Sequence, residues 1–221
     1  MTTIATNGKV MYADLKSTHI NPMEFSCDSC GSTGTSSKEN TQKIIMLNKG
    51  VVKRKVGGEV AVFMGCAGDG NTGNFLEAIW PLGSDLNHVV ESFEALNLTK
   101  NNIPRGTALI VTETGKVHRF SIITRRKILN IREVPDKELP IAIGSGATYF
   151  EAYLKTFKIG WLDAFRMAVH FDPHSSERYS AVGWAPDKES GEQKLKLRER
   201  IHNSRPIEDL LKIAQRNMRL S

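Results

Sequence analysis

Residues 2–18, TTIATNGKVMYADLKST, decide how the chain folds. Thr2 to Ala5 and Lys9 to Ala13 read as two strands flanking Asn7-Gly8, the dipeptide best suited to a tight type I′ turn, so the chain is expected to open on a β-hairpin. Chain ends ordinarily fray, so a strand at this position calls for a reason.

Working outward, residues 22–40 turn polar and rich in Ser, Gly and Thr, in the run SCDSCGSTGTSSKEN. Such a run buries too little apolar surface to order itself and reads as a mobile surface loop. KIIML and EVAVFMGCAG follow, dense in apolar residues and suited to buried strands. One helix is expected between Gly73 and Pro81. A second is expected near LNHVVESFEAL, where Leu86, Val89, Val90, Phe93 and Leu96 share a face. TALIVTETGKVHRFS reads as another hairpin, turning at Thr114-Gly115, and KILNIREV as a strand. IAI leads through GSGA into the helix ATYFEAYLKTF, then come WLDAFRMAVHF and a last strand, RYSAVGWA.

Strands and helices segregated in blocks point to an α+β fold rather than a βαβ series. The expectation is a four-layer αββα sandwich, two antiparallel sheets between helix layers. It is assigned to one domain over residues 2–186, with 187–221 as a basic C-terminal extension. In that extension Ile207, Leu210, Leu211, Ala214 and Met218 line one stripe of a short amphipathic helix, entered through Ser204 and Pro206.

Composition narrows the function. The net charge is +6, but residues 188–221 hold nine Lys/Arg against five acids, so most of the excess lies in the tail and the body is close to neutral. The tail has no aromatic residue to stack on a base, and no nucleic-acid partner is expected. No apolar run reaches the roughly 18 residues of a membrane span, nor do the first residues look like a secretory signal, so a cytoplasmic protein is expected. Three cysteines, Cys27, Cys30 and Cys66, fit a reduced compartment. Cys27 and Cys30 are spaced as half of a zinc site, but no second pair follows.

An N-terminal threonine is nucleophile and base at once: its hydroxyl attacks while its own α-amine takes the proton. Met1 precedes a small residue, Thr2, so trimming of Met1 is expected to free that amine. The chemistry further needs a cation that keeps the amine neutral, an acid holding that cation, and an N–H facing the developing oxyanion. Taken singly, these residues have plainer readings, such as strand starts, turn acids, edge lysines and helix caps.

Taken in order, the segments TTIA, ADLKST, QKII, MGCAG, AIGSGATYFEA and AVHFDPHSS resemble the proteasome β-subunit and HslV peptidases, which are threonine-type N-terminal nucleophile hydrolases. The resemblance spans residues 2 to about 184. It implies Thr2, Asp14, Lys43, Ser145, Asp172 and Ser175 as the catalytic set, Gly65 as the oxyanion donor and Thr18 as a substrate-binding residue. It also implies a structural Na or Mg ion on the main-chain carbonyls of Val169, Asp172 and Ser175, with no cofactor required for the chemistry. Asp14 arrives early for this family, so the opening hairpin is expected to be shorter; an even trim of both arms keeps side chains on their faces, and a one-sided trim does not. The implied protein is a threonine peptidase that assembles as a homo-oligomeric ring, receives substrate from an ATP-driven AAA+ unfoldase, and cleaves peptides or unfolded proteins. Two alternatives stand beside it: an inactive ring or interaction subunit of the same fold, and an N-terminal nucleophile amidohydrolase acting on small amides.

Overall fold

The computed structural model describes residues 2–20, 35–38, 43–47, 51–69, 71–93, 104–123, 128–176, 178–186, 193–200 and 207–219. The opening stretch folds back on itself: β1 (Thr3–Thr6) pairs antiparallel with β2 (Val10–Asp14), with Ile4 opposite Ala13 and Thr6 opposite Met11. The turn is not the expected type I′, which needs positive φ at both central residues. Gly8 has it (φ 84°), but Lys158 is the only described non-glycine residue that does, so Asn7 does not. Asn7 instead offers its side-chain carbonyl to the N–H groups of Lys9 and Val10 at 3.0 and 2.9 Å, and Thr6 Oγ1 donates to the Val10 carbonyl at 2.8 Å. The Asn7 N–H also donates to the Val10 carbonyl at 3.3 Å, so the turn stays tight but is centred on Gly8-Lys9 rather than on Asn7-Gly8.

This hairpin lies inside the first large sheet. β1 pairs on its other edge with β11 (Ile141–Gly144), β2 pairs with β12 (Tyr179–Pro186), and β12 pairs with β13 (Gln193–Arg200). The second sheet comprises β5 (Ile44–Met46), β7 (Glu59–Gly68), β8 (Gly106–Thr112), β9 (Val117–Ile123) and β10 (Ile128–Val134), in the order β10-β9-β8-β7-β5. A short β6 (Lys55–Val56) also joins β7. Every named strand pair in both sheets is antiparallel. A separate two-stranded sheet joins β3 (Ser17–Ile20) to β4 (Thr35–Lys38).

The alternation of side chains along each strand determines where the apolar groups go. On β8, Leu109 and Val111 face one core while Ala108 and Ile110 face another. The first core gathers Ile4, Met11, Ile143 and Val182 from one sheet with Val62, Leu109, Val111 and Val117 from the other. On the second sheet's remaining face, Met64, Ile110 and Phe120 meet Leu76 of α1 (Thr72–Ile79), the following Trp80, and Leu86 and Val90 of α2 (Leu86–Phe93). On the first sheet's remaining face, Ala5, Ala142 and Tyr179 meet Phe150 of α3 (Ala147–Glu151) and Phe165 and Ala168 of α4 (Trp161–Phe171). The molecule is thus a mixed α/β fold with two large antiparallel sheets and five α-helices among the described residues.

The C-terminal residues depart from the expectation. β13 lies within the stretch read as an extension, yet it pairs with β12 along its whole length, Tyr179 opposite Arg200 through Pro186 opposite Gln193. α5 (Ile207–Arg219) buries Leu210 and Ala214 in the same core as α4, and its Asn217 side chain donates to the Phe157 carbonyl at 3.0 Å. The expected amphipathic helix therefore docks on its own body. Of the stretch read as a mobile loop, β4 is a strand and the rest lies outside the described residues, as do Cys27 and Cys30. No helix among the described residues is long and apolar enough to cross a membrane.

Candidate active site

At the end of the β1–β2 hairpin away from its turn, the first residues of β1 meet the last residue of β2. Asp14, fully buried, accepts the Thr3 N–H on Oδ1 at 2.8 Å, and the N–H groups of Lys16 and Ser176 on Oδ2 at 3.0 and 3.3 Å. Lys43 stands immediately before β5, on the opposing sheet, and its Nζ reaches across to Asp14 Oδ1 at 2.8 Å. The same ammonium touches Thr2 Oγ1 and the Lys16 carbonyl, and Thr2 Oγ1 also touches Asp14. One sheet thus supplies the hydroxyl and the acid, and the other supplies the cation.

Burial pulls the Lys43 amine below its ordinary value, overriding the opposite pull of Asp14 and, more weakly, Asp172. An ammonium whose side chain is only 8% exposed is held by a single carboxylate and two oxygens that carry no formal charge. Its charge is therefore costly to keep.

A second carboxylate closes the other side. Asp172 follows α4, and its Oδ2 accepts the Ser145 and Ser175 hydroxyls, each at 2.6 Å, while the His174 N–H donates to Oδ1 at 3.1 Å. Burial alone would raise the Asp172 pKa, but these donors hold it below the usual carboxylate value. Ser145 also donates its N–H to the Thr2 carbonyl at 2.8 Å. The turn carrying it depends on Gly144, whose φ is 94° and whose missing Cβ would lie 1.8 Å from the Thr2 carbonyl oxygen.

Of the expected catalytic residues, Thr2, Asp14, Lys43, Ser145, Asp172 and Ser175 come together in this cluster. Gly65 does not, and its assignment is corrected. It lies in mid-strand on β7, opposite Ile44 on one side and Leu109 on the other. The neighbouring Cys66 N–H points to the Lys43 carbonyl at 3.3 Å. Successive amides of a strand face opposite edges, so the Gly65 N–H faces β8 and the Gly68 N–H faces the Lys43 edge. What Gly65 does is allow close packing of the sheets, since a Cβ there would fall 2.7 Å from Met11 Sδ and 2.8 Å from Ile4 Cγ2.

Thr18 belongs to β3, and its side chain lies outside the described residues. Val169, Asp172 and Ser175 occupy the end of α4 and the turn after it, where the Asp172 carbonyl already accepts the Ser175 N–H at 3.0 Å. No group of three or more His, Cys, Asp or Glu side chains suited to a metal occurs among the described residues. Thr3, which the sequence reading passed over, lies at the centre of the cluster: its Oγ1 lies 2.7 Å from Ser175 Oγ and 3.3 Å from Asp172 Oδ2. The only sequence signal for it is the doubling of threonine at the start.

No protein-family model matches the chain, and no curated protein matches it. Among solved structures it is similar to Anbu (ancestral beta-subunit) from Yersinia bercovieri, at 12% identity and a TM-score of 0.46, over 97% of this chain and 92% of that one. These findings overturn the assignment to the proteasome β-subunit and HslV family. The short segments that carry the resemblance do not extend to a match over the chain as a whole.

Proposed function

We propose that the chain is an amide-bond hydrolase of the N-terminal threonine type, built on an αββα arrangement of its helices and sheets, that cleaves peptides or unfolded chains through Thr2. The observation that carries this reading is the buried Lys43 ammonium bonded at once to Thr2 Oγ1 and to Asp14. A lysine beside the hydroxyl of the second residue disfavours protonation of the adjacent α-amine, whose reference pKa is about 7.7 to 8.0, so the amine is free to act as base near neutral pH.

The α-amine exists only after hydrolysis of the Met1–Thr2 bond. In the proposed step it accepts the Oγ proton as Oγ bonds to the substrate carbonyl carbon. Lys43 and the Gly68 N–H face the oxygens that gain charge. The leaving amine then takes the proton from the α-ammonium as the C–N bond breaks, leaving an ester on Thr2. Water, deprotonated by the same amine, attacks the ester and releases the acid. Ser145, Asp172 and Ser175 hold the backbone of Thr2 and the proton network beside it. An oxyanion donor such as Gly68 is typically worth on the order of 10² to 10³ in rate.

The chemistry calls on no cofactor. A Na or Mg ion on the carbonyls of Val169, Asp172 and Ser175 would be a structural addition: hard cations take such oxygen donors, and the engaged Asp172 carbonyl keeps one lone pair. It is tested by the effect of a chelator on melting temperature. Homo-oligomeric assembly belongs to the same reading and is supported by the exposed Val51, Val52 and Leu82 side chains. The mass of the native particle tests it. A ring and an ATP-driven unfoldase partner are the finer part of the same proposal, tested by whether hydrolysis of an unfolded protein depends on an added ATPase and ATP.

The deciding experiment is intact mass combined with a peptide boronate or epoxyketone. Loss of Met1 and a covalent adduct on Thr2, with hydrolysis of peptidyl reporters, is expected. Full retention of Met1 with no hydrolysis would overturn the proposal.

A further inference from the structure

Two carboxylates shape the site from opposite sides, and one residue touches both. Thr3 gives its N–H to Asp14 Oδ1 at 2.8 Å, and its hydroxyl lies 2.7 Å from Ser175 Oγ and 3.3 Å from Asp172 Oδ2. Thr3 is fully buried, and Gly146 leaves it no slack, since a Cβ on Gly146 would fall 2.0 Å from Thr3 Oγ1. The proton inventory is specific. Ser145 and Ser175 each donate to Asp172 Oδ2 at 2.6 Å. The Thr3 hydroxyl then donates to Ser175, making a chain that runs from Thr3 through Ser175 to Asp172 and on to Ser145. Ser145 closes the chain on the Thr2 carbonyl through its N–H, at 2.8 Å. The peptide unit joining Thr2 to Thr3 is therefore fixed at its carbonyl by Ser145, at its N–H by Asp14, and at the side chain that follows by Ser175.

We propose that Thr3 is a positioning residue: its hydroxyl locks the Thr2–Thr3 peptide plane so that the Thr2 amine and hydroxyl are both held against Lys43. The inference rests on the reading of Thr2 as nucleophile, and it assigns the alignment to a side chain that touches no reacting atom. Misplacing a reacting group by about 1 Å costs as much as 10²-fold in rate. Thr3→Val removes the hydroxyl and keeps the shape, whereas Thr3→Ser keeps the hydroxyl.

The test uses chains that begin at Thr2, released from an N-terminal ubiquitin fusion so that processing cannot differ between variants. Two quantities are measured: turnover of a peptidyl reporter, and the pKa of the Thr2 α-amine by pH-dependent reductive methylation with isotopic formaldehyde. For Thr3→Val the expected result is a fall in kcat of about 10- to 100-fold with KM within twofold, and an amine pKa that rises toward its reference. Thr3→Ser restores both. If Thr3→Val turns over and titrates like the parent, or if Thr3→Ser fails as badly as Thr3→Val, the inference is wrong. If the parent chain hydrolyses nothing while its amine pKa is depressed and relaxes only in Thr3→Val, the positioning role stands and the hydrolase reading falls.

Discussion

At the residue scale, the site depends on Lys43. Replacing it with Ala removes the cation from Thr2 Oγ1 and from Asp14, but Asp14 keeps three backbone N–H donors, so the fold survives. Turnover of a peptidyl reporter is expected to fall at least 10³-fold, about the scale of removing one member of a catalytic unit. Denaturant titration should show a loss of about 1.5–3 kcal/mol, the worth of a hydrogen bond to a charged group. Unchanged turnover would remove Lys43 from the mechanism. Asp172 contributes to the acid side of the stability profile, beside Glu59, whose hydrogen bonds from Thr114, Lys116 and Thr112 pull its pKa down to about 2. The folded pKa of Asp172 lies below the ordinary 3.8, so its contribution is complete above that value and is lost as pH falls through the lowered one. Asp172→Asn should therefore flatten the pH dependence of the melting temperature below about pH 4. An unchanged acid limb would show that other carboxylates set it.

At the element scale, Gly65 and Gly68 show what a sequence does and does not disclose. MGCAG offers two glycines in one short run, and which amide faces the site depends on strand parity, set by where β5 ends and which edge of β7 it occupies. Neither fact is written in the five residues. Gly65→Ala should cost about 1–3 kcal/mol by overpacking against Met11 and Ile4, measured by denaturant titration. A neutral result would mean that the two sheets yield there. The missed strand β13 has the opposite explanation. QKLKLRER does alternate, with Leu195 and Leu197 two apart, but its charge density outweighs two leucines in any reading by composition. β4, TSSK, carries no apolar residue at all, and its pairing with β3 is invisible in sequence. By contrast β7, β8 and α4, whose apolar periods are long and unbroken, were legible in the sequence almost to their ends. Of the site, the chemistry named only the residue types it needs, and the particular charged and hydroxyl residues were implied by the resemblance of short segments to a known family. Thr3 was not, because its role comes from contact with two carboxylates far apart in sequence.

At the scale of the whole molecule, the C-terminal helix is part of the body. Leu210 is fully buried and Ala214 nearly so, in the core that also holds Phe165 and Ala168 of α4. Leu210→Ala should cost about 2–5 kcal/mol, the range for truncating a buried leucine, read from denaturant midpoints. A loss below about 0.5 kcal/mol, the range of ordinary surface substitutions, would show that α5 is dispensable to the fold.

The turn at the far end of the hairpin has a mechanical consequence. Gly8 abuts Gly115, so closely that a Cβ on Gly8 would lie 2.3 Å from the Gly115 oxygen, and these two tips belong to different sheets. Thr2 rides on one sheet and Lys43 on the other, six residues of strand from that abutment, an arm of about 20 Å at roughly 3.3 Å per residue. The tips act as a fulcrum. A rotation of only about 3° between the sheets would part hydroxyl from ammonium by about 1 Å, a misplacement on the scale that costs up to 10²-fold in rate. A methyl group wedged at the fulcrum, as in Gly8→Ala, would be felt at the opposite end of the lever.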